Sequence, residues 1–360
     1  MISHYDFAIG LSGGVDSASA AFLLLQTGHS VAGVTMRIWD GSVNMPASSR
    51  QGCFGPDEEE DVAAAGAVCQ YLGIPFIEVD LRAEYHHHVL DLFRTEYRLG
   101  RTPNPCVLCN PLLKFGFLCQ KARQQISFDR FATGHYARIV QRKGRLYLCR
   151  GADPRKDQTY FLYRLSQEQL AQTFFPLGDW TKERVRELAL QQGLPVASRP
   201  ESQDFIGTHY NVLFSPSETP SGDIVDEEGR VLGHHEGIVH YTVGQRKGLR
   251  IASTEPWYVL RIEPQTNRVV VSRRSHMFFP GLIADHAVWA TELHPGTTFR
   301  AAVRIRQKHT EAPANVEIID AVTFRVMFDD PQLAVTPGQS AVIYDGDVVL
   351  GGGIIREPLR

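Results

Sequence analysis

The sequence predicts an α/β fold: an N-terminal doubly wound, mostly parallel sheet followed by one or two small β domains, read as barrels. Three observations predict it. Apolar strand-like runs alternate with helical periods through the first third of the chain. A loop of small residues, Ser12-Gly13-Gly14-Val15-Asp16-Ser17, separates the first such run from the first helix. After about Pro200 the pattern becomes short alternating strands set apart by Gly, Pro, Asp and Asn. The expected segments are 1–200, 201–279 and 280–360.

The elements follow in order. Tyr5–Leu11 reads as a buried strand and Ala18–Gln26 as a helix closed by Gly28. Val31–Trp39 is a second strand. Pro56–Leu72 is a helix with Asp57–Glu60 in its first turn and Gly73 as its stop. Pro75–Leu81 is a strand, Ala83–Leu99 and Leu112–Gln125 are helices, and Phe128–Thr133 is a strand ending in Gly134-His135-Tyr136. Repeated βα units imply a sheet covered on both faces, with ligands beyond the carboxyl ends of its strands. Ser166-Gln167-Glu168-Gln169 is a capping-box sequence and Thr181–Gln192 a further helix. The later strands are Trp257–Ile262, Arg268–Ser272, Thr298–Ile305, Asn315–Phe328 and Gln339–Tyr344, with Asp345-Gly346 as a hairpin turn.

The first loop is built for a phosphate. Strand, glycine turn and helix aim backbone N–H groups and the positive end of a helix dipole at an anion. Gly13 and Gly14 allow close backbone approach, and Ser12 and Ser17 add hydroxyls. Asp16 repels an anion unless Mg²⁺ stands between them. No Gly-Lys-Ser/Thr follows, so this is not a Walker loop. The pattern resembles the PP-loop of ATP pyrophosphatases.

At 360 residues the chain exceeds one ordinary core. Its 43% hydrophobic and 21% charged content excludes a disordered chain, and no apolar run reaches membrane-spanning length. The first residues read as a strand rather than a leader, so a cytoplasmic protein with no membrane partner is expected. The net charge of −3 does not announce a nucleic-acid binder, so local basic clusters decide.

Further landmarks narrow the choice. They are Arg101-Thr102-Pro103-Asn104-Pro105-Cys106-Val107-Leu108-Cys109-Asn110, Lys114-Phe115-Gly116, Ala132-Thr133-Gly134-His135-Tyr136, Lys156-Asp157-Gln158-Thr159-Tyr160-Phe161-Leu162 and Tyr241-Thr242-Val243-Gly244-Gln245-Arg246-Lys247-Gly248-Leu249. In that order they closely resemble the bacterial tRNA-specific 2-thiouridylases over essentially the whole chain. The resemblance implies that ATP, with Mg²⁺, adenylates the C2 oxygen of a tRNA wobble uridine and that a sulfur nucleophile then displaces AMP. It implies tRNA and a sulfur donor, a persulfide carrier protein or sulfide, as partners. By the same resemblance Gly10, Leu11, Ser12, Gly13, Gly14, Val15, Asp16 and Ser17 hold the ATP phosphates, Met36 lies beside adenine, and Gly134 touches the nucleotide. Asn104, Pro105 and Cys106 border the target base, and Cys109 is the cysteine beside the uridine. Cys109, Cys106 and Asp16 are thus the catalytic candidates. His135, Lys156, Asp157, Gln158, Arg304, Ile305 and Gln339 match positions near tRNA.

The chain departs from the family twice. Cys106 stands where Asp is commoner. The segment that usually carries a second active-site cysteine reads Glu201-Ser202-Gln203-Asp204-Phe205-Ile206-Gly207, without one. Instead Cys53 sits in Gln51-Gly52-Cys53-Phe54-Gly55-Pro56, a loop expected at the same sheet edge as the ATP site. Cys53, Cys106 and Cys109 are expected to converge. Either a [4Fe–4S] cluster on three thiolates or a persulfide on one of them would then deliver sulfur, with zinc a weaker option.

Other features have simpler readings. Cys69, Cys119 and Cys149 read as small buried hydrophobes. His86-His87-His88 cannot share one ion from consecutive helix positions. His234-His235 reads as a turn, and Asp57–Glu60 as a helix start. The basic stretches Arg138–Arg145, Arg150–Lys156, Arg246–Arg250 and Arg304–Lys308, with tyrosines among them, suit an RNA surface. Two competing functions remain at this point: an amidotransferase-type adenylating ligase, and a tRNA-binding paralogue whose catalysis has decayed.

Overall fold

The computed structural model describes residues 2–45, 52–200, 204–206 and 210–360. The chain begins β1 (His4–Gly10), α1 (Val15–Gln26), β2 (Val31–Arg37), β3 (Gly52–Phe54), α2 (Glu58–Leu72), β4 (Phe76–Asp80), α3 (Arg82–Tyr85) and α4 (Asp91–Arg98). It continues α5 (Pro105–Cys109), α6 (Leu118–Ala122), β5 (Ser127–Thr133), β6 (Ala137–Arg142), β7 (Arg145–Arg150), α7 (Thr159–Leu162), α8 (Gln167–Ala171), β8 (Thr173–Phe174), α9 (Lys182–Gln191) and β9 (Asp204–Ile206). Ten strands follow: β10 (Gly222–Val225), β11 (Val231–His235), β12 (Tyr258–Glu263), β13 (Arg268–Ser272), β14 (Phe278–Trp289), β15 (Thr298–Arg304), β16 (Ala312–Ile318), β17 (Phe324–Leu333), β18 (Ser340–Asp345) and β19 (Val348–Leu359).

Two compact units emerge. The first comprises Met1–Val89, Pro105–His209 and Asp347–Val349. Its sheet has the order β4-β2-β1-β5-β8, with every pair parallel. A parallel sheet is covered on both faces, and its strands bury apolar runs accordingly: Phe7–Ile9 of β1, Val31 to Val34 of β2 and Phe131–Ala132 of β5. Phe7, Ile9, Val31 and Ala132 meet Ala20, Ala21 and Leu24 of α1, Ala65 and Cys69 of α2, and Val185 of α9 in one core. Gly73 stops α2 in the left-handed conformation, φ 67°. The capping box on α8 forms as expected, and Thr181 caps α9 by accepting from the Arg184 N–H.

The second unit comprises Leu90–Asn104, Tyr210–Gly346 and Leu350–Arg360. A four-stranded sheet, β11-β10-β13-β12, precedes six strands ordered β14-β17-β16-β15-β18-β19. β19 pairs back to β14, which closes the barrel and removes its free edges. Val225, Leu260 and Val270 of the four-stranded sheet share a core with Leu282, Val303, Val316 and Phe324 of the barrel. The segments 201–279 and 280–360 thus share part of their core.

Several expected elements are redrawn. Ala83–Leu99 is not a continuous α-helix: a π-helical turn, His86–Leu90, separates α3 from α4. Leu112–Gln125 begins earlier, with α5 and a second π-helical segment, Asn110–Phe117. Asn315–Phe328 is two strands, β16 and β17, because the Val322 N–H and Asp320 carboxylate form a turn between them. The stretch Arg138–Arg145 is an antiparallel hairpin, β6–β7. Gln51, Glu201, Ser202, Gln203 and Gly207 lie outside the described residues. Among the described residues no helix is long and apolar enough to cross a membrane.

Cys69 is fully buried, and its sulfur fills the place a Cβ on Gly33 of β2 would need. Gly33→Ala is therefore expected to destabilise the fold by about 1–3 kcal/mol through overpacking. Adding Cys69→Ala should recover part of that loss. Urea unfolding of the two singles and the double checks it, and strict additivity would contradict this packing.

Candidate active site

The loop Leu11–Gly14 leaves β1 at its carboxyl end. It is anchored by the Leu11 N–H on the Val34 carbonyl (2.8 Å) and by the Thr35 hydroxyl on the Leu11 carbonyl (2.9 Å). Gly13 has φ 70°, and a Cβ there would overlap the Asp61 carbonyl oxygen and the Arg199 guanidinium. Gly14 is the N-cap of α1 and makes no side-chain cap, so the first N–H groups of α1 have no capping side chain. Ser17 donates to the Gly14 carbonyl and accepts from the Ser12 N–H. Uncapped amides beside serine hydroxyls form a donor set for an anion.

Asp16 stands in the first turn of α1 and is fully engaged. Lys182 of α9 donates to both of its carboxylate oxygens, at 2.7 and 2.8 Å. The Tyr136 hydroxyl donates to Oδ1 at 2.7 Å. The Lys182 side chain is only 7% exposed and that of Asp16 30%. Asp16 suits Mg²⁺ as a hard carboxylate donor, and in this structure an ammonium group occupies that role. Sequence reasoning assigned no role to Lys182 and placed Tyr136 among the tyrosines of an RNA surface, whereas its ring is buried. A lysine as the first residue of a helix, against the dipole, was the readable signal for the former.

Gly134 follows β5 and packs directly on this junction. A Cβ there would lie 2.7 Å from both the Asp16 carbonyl carbon and the Ser17 nitrogen. The next residue, His135, bonds through Nδ1 to the Thr133 hydroxyl (2.7 Å) and lies near the rings of Phe115 and Phe175. Burial, reinforced by the Lys114 charge, holds its imidazole well below the usual histidine pKa, so it is neutral. Met36 is half-buried near the end of β2, in register with Val79. The acidic start of α2 does more than favour a helix. The Glu58 carboxylate accepts from the Ile38 and Trp39 N–H groups (2.6 and 2.8 Å) and ties down the chain leaving β2. Asp61 holds Arg199 at 2.9 Å, and Arg199 also donates to the Gly13 carbonyl.

Cys69 and Cys149 are buried as expected, whereas Cys119 is only half-buried. β3 pairs in parallel with β9, Gly52 with Asp204 and Phe54 with Ile206. Phe54 is buried and stacks on Tyr85, which locks the strand. Cys53, between them, points its thiol at the Phe205 carbonyl (3.7 Å). It is solvent-accessible yet crowded by protein, and that crowding raises its pKa, with a further push from Cys106 and Cys109 and an opposing pull from Lys114. Cys106 and Cys109 lie one turn apart on α5, the first half-buried and the second buried. Tyr85, raised well above its ordinary pKa chiefly by burial, also senses all three thiols. Cys53 and Tyr85 thus both feel the charges of Cys106 and Cys109. The three thiols do not form a metal-holding set: among the described residues no group of three His, Cys, Asp or Glu side chains could hold a metal ion. No step is assigned to a cluster or to zinc.

The positions matched to tRNA scatter in character. Gln158 accepts from the Tyr136 N–H, and so positions the residue that holds Asp16. The Asp157 carboxylate is buried and accepts from the Thr159 N–H and hydroxyl. Lys156 is half-buried. In the second unit the Gln339 amide donates to the Thr102 carbonyl (2.8 Å), two residues before Asn104. Arg304 is mostly buried beside Glu311, and Ile305 is part of the barrel core. Asn104 is half-buried and Pro105 buried. His234 and His235, expected as a turn, are the last residues of strand β11; His234 pairs with Asp223, and His235 accepts from the Gly237 N–H.

Comparison with known proteins follows the same division. The family described as "tRNA methyl transferase HUP domain" matches residues 6–207, "tRNA methyl transferase PRC-barrel domain" residues 201–273, and "Aminomethyltransferase beta-barrel domain" residues 279–355. The tRNA-specific 2-thiouridylase MnmA of Endomicrobium trichonymphae is 45% identical over 353 residues, 96% of this chain and 98% of that one. That of Nostoc punctiforme is 43% identical over 97% of this chain and 98% of its own. That of Geobacter metallireducens is 44% identical over 96% and 95%.

His135 is expected to stay neutral at pH 6, read as the absence of an imidazolium signal in ¹⁵N NMR. Its folded pKa lies below its unfolded value of about 6.5, so its share of stability is full above that pH and declines as pH falls below it. A His135 that titrates near 6.5 would contradict its burial.

Proposed function

The chain belongs to the tRNA-specific 2-thiouridylase family, and we propose on that premise that it converts the wobble uridine of tRNA to 2-thiouridine at the expense of ATP. The observation that carries the reading is the linkage, within one unit, of the anion-binding loop to three thiols. Gly134 abuts the loop, His135 follows it, and Lys114 acts electrostatically on His135, Cys53 and Cys109 together.

The reaction has two halves. The uridine O2 attacks the α-phosphorus of ATP, the bond to the bridging oxygen breaks, pyrophosphate leaves, and N3 gives up its proton. The amides of α1, the serine hydroxyls and Gly13–Gly14 cradle the phosphates as charge develops on them. Asp16 would be the residue to hold Mg²⁺, which would supply charge neutralisation there. A poor leaving group, carbonyl oxygen, has then become a good one, AMP.

Sulfur delivery is assigned to the cysteines. Cys53 is the accessible thiol of the three, which suits it to accept sulfur from a persulfide donor by exchange. Its terminal sulfur attacks C2 and AMP leaves, which joins base and Cys53 through a disulfide. A thiolate from Cys109 or Cys106 then attacks the Cys53 Sγ. The thiolated base departs, N3 regains a proton, and the resulting protein disulfide is reset by an external dithiol. Cys53 thus serves on β3, beside the β9 segment that lacks the family's second cysteine. The tRNA is gripped through its phosphates and 2′-hydroxyls by the basic stretches of both units.

With ATP, Mg²⁺, unmodified tRNA and a persulfide source, the protein is expected to form 2-thiouridine and AMP in equal amounts. Cys53→Ala and Cys109→Ala should each lower thiolation by more than about 100-fold while retaining tRNA-dependent pyrophosphate release. Full thiolation by Cys53→Ala would remove Cys53 from the route. Protein prepared without oxygen should lack stoichiometric iron. Bound iron that is lost on Cys53→Ala would transfer the sulfur step to a cluster.

A further inference from the structure

We propose that Lys182 is a ligand for the β- and γ-phosphates of ATP, held in reserve by Asp16 while the nucleotide is absent. The inference rests on the reading of Leu11–Ser17 as an ATP site.

Lys182 is the first residue of α9, and its N–H donates to the Asp153 carboxylate at 3.1 Å. Its side chain runs inward and is 7% exposed, ending on both oxygens of Asp16. Stability does not explain this arrangement. A buried ion pair roughly breaks even against an apolar pair, because both charges lose their hydration. A cation at a helix N-terminus also opposes the helix dipole. Tyr136 already donates to Asp16 Oδ1, so the carboxylate would not be left without a partner.

Function does explain it. The pair sits at the start of α1, where uncapped amides and two serine hydroxyls await an anion. There the ammonium and carboxylate cancel. A triphosphate changes the balance: it attracts the ammonium and repels the carboxylate, and the cation that accompanies ATP compensates the latter. The flexible stem of lysine lets its ammonium swing between partners without movement of the helix. Arg199, the other cation beside the loop, is not equivalent. It is pinned to the Gly13 carbonyl and to Asp61 and braces the loop from behind.

The test uses the full-length protein, α,β-methylene-ATP and AMP as probes, and calorimetric titration with Mg²⁺ present. Lys182→Met should weaken the ATP analogue by about 10- to 100-fold and AMP by no more than about threefold. Lys182→Arg should recover most of the loss. The Asp16→Asn/Lys182→Met double variant removes both charges and should melt near the wild-type temperature, yet still bind the analogue weakly. Equal losses for the analogue and AMP would make the pair structural and overturn the proposal, as would undiminished analogue binding by Lys182→Met. Failure of the wild-type protein to bind the analogue would instead overturn the ATP reading of the loop, and the role of Lys182 with it.

Discussion

The site depends on a contact that admits no side chain. Gly134, just past β5, lies so close to the Asp16–Ser17 backbone that any Cβ would overlap it. That approach sets the distance between the end of a central strand and the start of α1. It delivers Tyr136 to Asp16 and His135 to the Phe115 and Phe175 rings. Gln158 then fixes Tyr136 through its N–H. The start of α1 and the segment after β5 are thus registered by backbone proximity, which is stiffer than any chain of flexible side chains.

Around that contact the charges are arranged in closed pairs. Lys182 meets Asp16, Arg199 meets Asp61, and Glu58 takes two backbone N–H groups. Buried charges are tolerated only when so partnered. The loop is left with uncapped amides and no uncompensated carboxylate pointing at it. Such a surface favours an anion without carrying excess charge of its own. Neutral His135 fits the same pattern, since a second cation beside Lys114 would be costly in that surround.

Much of this was legible in residues. The strand, glycine loop and helix, the parallel alternation, the caps at Ser166 and Thr181, and the packing role of Cys69 all follow from local rules. What escaped was set by tertiary context. Nothing in His86–Leu90 or Asn110–Phe117 announces a widened helical turn, because π-helical geometry carries no periodic signature of its own. The strand pair β3–β9 is three residues long on each side, too short for alternation to register. The two β segments share one core because Val225 and Val270 face it, which composition alone does not reveal. Glu58 looked like a helix-start residue and Asp61 carried no reading, since their partners lie elsewhere in the sequence.

The pairing of β3 with β9 has a consequence for how the protein is made. Cys53 and Phe205 are 152 positions apart, so their meeting closes a long loop and contributes to a high contact order. Synthesis is vectorial, and the sheet strands β1 to β5 are complete well before residue 206 leaves the ribosome. The β3–β9 pair can form only after that point. A nascent chain therefore carries Cys53 without its β9 partner through the synthesis of the whole parallel sheet, and a product truncated before residue 204 leaves β3 unpaired.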